Sequence, residues 1–203
     1  MRNYSQSNEQ EIILDYFGDY VGTFLDIGCN DGETYSNTRA LALKGWGGSM
    51  VDASPKAIDR AKKLYEGNTS IDVIWAAISD MNGKAILHES DEHAGYGDIA
   101  LVSSLDQNET RRWNKNKFTQ VEVPMMDFAT LMENTSHYRY DFISADIEGF
   151  EPKLLPQINF RQLETKMVCV EWNSRNFDYF EKCFKAWDFK FYAENAENLF
   201  FVK

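Results

Sequence analysis

Apolar residues recur along this chain at two spacings, and the spacing switches repeatedly. Ile12, Ile13, Tyr16 and Phe17 share one helical face, and Gly18 stands where that helix would end. Just upstream, Ser7-Asn8-Glu9-Gln10 matches a capping box, in which the serine hydroxyl and the glutamine side chain satisfy free backbone amides. Residues 21–27 are a short apolar run closing on Gly28, which predicts a strand. A helix over 36–44 follows, stopped by Gly45, and then a strand over 48–51 that ends at Asp52. Ser54-Pro55 is a good helix start, because serine caps and proline suits the first turn. Ile58, Ala61, Leu64 and Tyr65 give that helix its buried stripe, and residues 71–78 read as a third apolar strand.

Beyond this β-α-β-α-β start the pattern loosens. Residues 83–87 suit a short strand, whereas 88–98 are polar and glycine-containing and predict a loop. The wider segment 88–117 is expected to form a substrate-side loop, since a long insert in a compact domain is often a lid or binding loop. Asp127 should cap a short helix that turns Phe128, Leu131 and Met132 inward. Strands are expected at 141–145, closing on Asp146, and at 166–170, closing on Glu171. Phe177, Phe180, Phe184 and Trp187 mark the buried face of another helix. Residues 189–193 and 199–202 finish as two strands joined by a tight turn, which needs no crossover helix and is therefore antiparallel. Apolar strands alternating with amphipathic helices imply a parallel sheet covered on both faces. The expected fold is α/β: a Rossmann-like, doubly wound, seven-stranded sheet, mostly parallel, with a C-terminal antiparallel hairpin. Residues 1–203 read as a single domain, with 1–18 as an N-terminal helical lid segment.

Composition narrows the class. A chain of 203 residues with 43% hydrophobic and 14% aromatic residues has material for a real core, which excludes collagen-like, disordered and disulfide-scaffold proteins. Asp plus Glu is 32 against 21 Lys plus Arg, a net charge of −11. That balance argues against nucleic acid as a partner, since phosphate binding leans on Lys and Arg; the modest basic stretch 111–117 reads as a solvated loop. No run approaches the roughly 18 apolar residues of a membrane span, and residues 1–10 carry no apolar signal core. Cys29, Cys169 and Cys183 are odd in number and widely spaced, so reduced thiols in a cytoplasmic compartment are expected. Oligomeric state is left open.

In an open parallel sheet, ligands bind outside the carboxyl ends of the strands. Here those ends carry Gly28, Asp52, residues 77–80, Asp146 and Glu171, so three carboxylates from different strands should face one crevice. The first turn, Leu25-Asp26-Ile27-Gly28-Cys29-Asn30-Asp31-Gly32, lacks the full glycine fingerprint of a dinucleotide site. Its acids, Asp26 and Asp31, would repel a pyrophosphate and suit a ligand with a cationic amino-acid end. Asp52 follows Gly32 by 20 residues, where an acid commonly accepts hydrogen bonds from ribose hydroxyls. A nucleoside with a positive, phosphate-free tail is S-adenosylmethionine. The rival from another enzyme class, an NAD-dependent oxidoreductase, is disfavoured by the broken fingerprint and the C-terminal hairpin.

Residues 24–32 also resemble motif I of the class I S-adenosylmethionine-dependent methyltransferases, and the chain as a whole resembles the FkbM family. The shared features are Ser5-Gln6 with Glu9, Ser36-Asn37-Thr38, Gly45-Trp46-x-Gly48, Val51-Asp52-Ala53-Ser54-Pro55, Ala77-Ile78-Ser79-Asp80 with Gly83, and Asp146-Ile147-Glu148-Gly149-Phe150-Glu151. The family more often has Glu at position 52, and the segment 88–117 matches least. The resemblance implies O-methylation of a sugar, polyketide or similar small molecule. Carried over position by position, Gly28 and Asn30 would line the methionine part of the cofactor, while Asp26 would hold its turn or its amine. Asp52 would take the ribose, Ala53 and Ser54 the adenine edge, and Ala77 and Ile78 the adenine ring. Gln6 and Asp31 join this cofactor-binding set. Asp146 and Glu148 would sit under the transferred methyl as catalytic residues, with Asp146 also touching the cofactor.

Each position has a plainer reading. Asp26 bonds loop amides, Asp52 caps a helix, Asp146 orients the Gly149 turn, and Glu151 is a first-turn acid favoured by the helix dipole. His88, His93 and His137 read as exposed loop histidines. With no histidine in any strand-end motif, the proton acceptor is expected to be a carboxylate. Alternatively, Asp146, Glu148 and Glu171 hold a hard divalent ion such as Mg²⁺, which would acidify the hydroxyl. Rival functions on the same sheet are a protein that binds S-adenosylmethionine without catalysis and an N- or carboxyl-methyltransferase.

Overall fold

The computed structural model describes residues 2–95, 97–173 and 176–203; Met1 and Tyr96, within the predicted N-terminal segment and loop, lie outside them. The central sheet has seven strands: β1 (Thr23–Ile27), β2 (Gly47–Asp52), β3 (Ile71–Trp75), β7 (Phe142–Ala145), β8 (Met167–Glu171), β9 (Lys190–Glu194) and β10 (Asn198–Val202). Their order is β3-β2-β1-β7-β8-β10-β9. Strands β3 to β8 in that row pair in parallel, and β10 runs antiparallel to both its neighbours. The strand order reverses between β1 and β7, the switch point at which open α/β sheets bind ligands.

Side chains two apart on a strand share a face, and the core divides accordingly. Leu25, Ile27, Val51, Ile143, Ala145, Val168, Val170, Leu199 and Phe201 pack with α5 (Phe128–Glu133), α6 (Glu151–Leu154) and α7 (Phe177–Lys185). Phe24, Met50, Phe142, Met167, Cys169 and Phe200 face the other way, onto α1 (Glu9–Phe17), α2 (Arg39–Leu43) and α3 (Pro55–Leu64). Ser54 caps α3 by accepting the Ala57 amide, and Asp127 caps α5 through the Thr130 amide, as their positions predict.

Three expectations change. The run 71–78 is two strands. It breaks at Ala76, whose amide is held by the Asp52 carbonyl, and β4 (Ala77–Ile78) leaves for a second sheet of order β4-β6-β5. The partners are β5 (Gly83–Ser90) and β6 (Phe118–Met126), which pair antiparallel from Gly83↔Met125 to Ser90↔Phe118. Residues 91–117 are thus the excursion of a long hairpin, carrying the short helix α4 (Gln107–Thr110) and a 3₁₀ turn at Arg111–Trp113. The capping box is not formed either. Asn8 stands at the cap of α1 but its side chain accepts from Asn195 and not from a helix amide, Glu9 bonds back to the Ser7 amide, and the Ser5 hydroxyl takes the Gln10 amide. Finally, α1 is more than a lid, because Ile13 and Phe17 are buried in the second core with Phe24, Trp46 and Phe142.

Candidate functional site

A crevice of about 150 Å³, open to solvent at its mouth, runs over the switch point. Gly28 shapes its floor. Its φ is +88°, and a Cβ there would lie 1.7 Å from the Asp146 carbonyl oxygen, so only glycine lets the ends of β1 and β7 come this close. The Asp146 amide donates to the Ile27 carbonyl at 2.9 Å and locks the junction.

Among the expected cofactor residues, Gln6, Asp26, Gly28, Asn30, Asp52, Ala53, Ala77, Ile78 and Asp146 all line the crevice. Asp31 and Ser54 are not in that lining. Asp31 holds its own turn, accepting from the amides of Glu33 and Thr34 and from the Thr34 hydroxyl. Ser54 is buried at the start of α3, donating to Glu89 at 2.6 Å. Both are structural supports of the turns beside the site.

Asp52 accepts the Asn30 amide on Oδ2 and the Ser54 amide on Oδ1, each at 2.8 Å. It thereby ties the β1 and β2 turns together and still presents carboxylate lone pairs to the crevice. Burial pushes it up to about 6, against those two amide bonds. Asp26 is more deeply buried and takes one side-chain bond, from the Thr38 hydroxyl. Burial carries it to about 7, with the Asp52 charge adding to the rise. Asn30, at φ +48°, sends its side-chain amide to the Ile99 carbonyl at 2.8 Å, so the excursion 91–117 is pinned over the turn.

The other end of the crevice is strongly acidic. Asp146 and Glu148 follow β7, and Glu171 ends β8; one oxygen of each lies within 4.8 Å of the others. Burial, then the neighbouring carboxylates, push Asp146 and Glu148 well above the usual carboxylate range. Glu171 is raised for the same first reason, with Asn173 among the groups that oppose it. Glu151 reaches about 8 although it accepts the Ile147 amide at 2.8 Å. It orders the turn and is not in the crevice lining. Glu148 has φ +51°, a left-handed conformation unusual for a side chain of this kind, and Gly149 follows at +98°. The two residues turn the chain sharply so that Glu148 points back under the crevice.

Sequence reasoning missed several wall residues. Glu9, fully buried, reaches the crevice from α1 and accepts from Asn195 and Asn198 of the hairpin β9–β10 at 2.7 and 3.2 Å. Trp113 lines the opposite wall. His93 packs on it edge-on, with ring centroids 4.7 Å apart, and is fixed by Asn116 at 2.9 Å. The Trp113 indole N–H is buried and has no partner. Exposed His93 fits the loop-histidine expectation, but its place on this wall came only with the fold. Arg112 stacks over Trp113, pairs with Glu109 at 2.7 Å, and its charge acts on Glu148 and Glu171.

This sheet, with its switch-point crevice, is the fold of the class I methyltransferases. The profile of the methyltransferase FkbM domain matches residues 26–198, and the chain belongs to that family. No curated protein sequence matches it. Among solved structures it is similar to a methyltransferase FkbM from Methylobacillus flagellatus KT, with a TM-score of 0.57 and 10% identity over 90% of this chain and 44% of that one. It is also similar to a ribosomal protein L11 methylase from Lactobacillus delbrueckii subsp. bulgaricus, with a TM-score of 0.51 and 12% identity over 98% and 78%. The N-terminal domain of human METTL16 in complex with SAH gives a TM-score of 0.50 and 13% identity over 96% and 67%. The chain thus spans less than half the length of the Methylobacillus protein. Among the described residues, no helix is long and apolar enough to cross a membrane.

Proposed function

We propose that this chain transfers a methyl group from S-adenosylmethionine to a hydroxyl of a small-molecule or sugar acceptor. The carrying observation is the pairing, in one crevice, of a cradle at Gly28, Asn30 and Asp52 with the acids Asp146 and Glu148. The residues fit the cofactor: buried carboxylates suit a cation, and the missing Gly28 side chain leaves the floor open. The SAH-bound relative supports the same choice. When bound, the cofactor supplies a methyl on a sulfonium, which is already a good leaving group.

The protein's own work is then alignment and proton removal. On this reading Asp52 takes the ribose, and buried Ala77 and Ile78 face the adenine ring. A fixed donor and acceptor in line gain mainly through orientation. A hydroxyl is a poor nucleophile at neutral pH, so a carboxylate in hydrogen-bond reach takes its proton as the new C–O bond forms and the C–S bond breaks. Asp146 and Glu148, both lining the crevice just after β7, fill that role. The excursion 91–117 brings His93, Leu105 and Trp113 as the acceptor wall. The rivals are an N- or carboxyl-methyltransferase on this sheet, a fold that a ribosomal protein L11 methylase also uses, and loss of catalysis.

The test is calorimetry with SAH followed by a methyl-transfer screen over hydroxyl and amine acceptors. Asp146→Asn should keep cofactor affinity within a few-fold and cut the rate by about 10²–10⁴. Full activity in both Asp146→Asn and Glu148→Gln would remove the base from this scheme. Binding without turnover on any acceptor would favour the non-catalytic reading.

A further inference from the structure

The acid trio at the closed end of the crevice has a geometry that a general base alone does not require. One oxygen each of Asp146, Glu148 and Glu171 falls within 4.8 Å of the others. Two oxygens on a single ion stand at most two metal–oxygen distances apart, about 4.2 Å for Mg²⁺ and about 5 Å for Ca²⁺. The trio therefore fits around one hard cation with small adjustments. Independently of that spacing, Glu148 is nine-tenths buried and its Oε2 has no hydrogen-bond donor among the described residues. A buried carboxylate oxygen left without a partner is costly, and a native fold that keeps one calls for an explanation.

Among the described residues, the surrounding groups do not supply the partner. The Ser104 hydroxyl bonds the Glu148 backbone carbonyl, at 3.1 Å, rather than its carboxylate. Arg112 acts on the trio by charge, but its guanidinium is bonded to Glu109 at 2.7 Å. Asn173 serves Glu171, and Glu151 on α6 is taken up by the Ile147 amide. We propose that Asp146, Glu148 and Glu171 together bind one divalent cation of the oxygen-preferring class, Mg²⁺, Mn²⁺ or Ca²⁺. An all-carboxylate donor set selects against softer metals. Asp146 is only half-buried, so the ion keeps an open side toward the crevice. In its purpose the site rests on the methyl-transfer reading: an acceptor hydroxyl on that open side would become more acidic. Each carboxylate keeps a second oxygen, so the proton still has a place to go.

The test uses metal-stripped protein, Mn²⁺ alone as probe, and electron paramagnetic resonance, with SAH binding measured on the same samples by calorimetry. One equivalent of Mn²⁺ should bind, and Glu171→Gln should weaken it at least tenfold. Should Glu171→Gln fail to fold, Glu148→Gln gives the same reading, because it replaces the unpartnered oxygen. No binding up to about 1 mM, the weak end for protein sites of this chemistry, would overturn the proposal. So would Mn²⁺ binding that both variants leave unchanged. SAH binding without Mn²⁺ binding would sink the cation site and spare the methyl-transfer reading. Loss of SAH binding in the unaltered protein would sink the latter.

Discussion

Asp26 is a carboxylate that the fold holds at a cost, and Asp26→Asn makes that cost measurable. The side chain is buried, with the Thr38 hydroxyl as its side-chain donor and the Asp52 charge nearby. Its pKa rises from 3.8 to about 7, which corresponds to about 4 kcal/mol of disfavour for the ionised form relative to the unfolded chain. The pH dependence follows from the sign. Well below pH 4, the carboxyl is protonated in both states and nothing is lost. Between about 4 and 7, the unfolded chain releases a proton that the fold retains, so stability falls as pH rises; above 7 the loss is complete. Asparagine keeps an oxygen for the Thr38 hydroxyl and carries no charge. The variant should therefore be more stable than the parent by about 1.6 kcal/mol at pH 5 and by up to ~4 kcal/mol at pH 8. Urea unfolding at the two pH values, without ligand, measures this directly. Adding S-adenosylmethionine should stabilise the parent more than the variant, since the cofactor's positive charge relieves the buried carboxylate. Equal destabilisation of Asp26→Asn at both pH values would refute the reasoning, because it would mean that the charge is well paired in the fold.

Three further outcomes are expected. Gly28→Ala should lose far more stability than Gly45→Ala in thermal unfolding. Both have strongly positive φ, at a cost of about 1–2 kcal/mol each, but only position 28 adds a clash, with the Asp146 carbonyl at 1.7 Å against nothing within 4 Å at position 45. Phe17→Ala should cost about 3–5 kcal/mol as a large-to-small core change, and removing residues 1–17 should lower the melting temperature severely, since Ile13 and Phe17 lie in the core; a truncated protein melting as before would contradict that packing. S-adenosylmethionine affinity should fall as pH drops through about 6, where Asp52 protonates and ceases to be a full acceptor, and calorimetry at pH 5 and 7.5 should show a smaller drop in Asp52→Ala, in which Asp26 still titrates.

The strand ends were readable from sequence because local patterning sets them. An apolar run closing on Gly28, Asp52 or Asp146 places each of those residues at the edge of the sheet whichever strand lies beside it. The caps at Ser54 and Asp127 are equally local, since each hydroxyl or carboxylate serves an amide three residues on. The tight C-terminal turn allowed only an antiparallel pair, and β9 and β10 form one. Motif reading went further: nine of its eleven cofactor positions, from Gln6 to Asp146, line the crevice.

Other features depend on partners far away in the chain. Residues 71–78 have one continuous apolar character, yet Ala76 is where the chain leaves one sheet for another, because β4 pairs with β6 some 48 positions later. Ser7 had the right spacing for a cap, but Ser5 and Glu9 took the amides once residues 2–8 were drawn against Tyr35 and the hairpin. Asp31 and Ser54 look the same in a string of letters as Asp52 does; only packing turns two of them into their own turns and the third toward the crevice. The acid trio joins Asp146 to Glu171, 25 positions on, and the wall residue Trp113 lies 58 positions before Glu171. Periodicity and capping act within one turn or one strand, whereas burial, shared charge and an unpartnered carboxylate oxygen arise only when distant segments exclude water together.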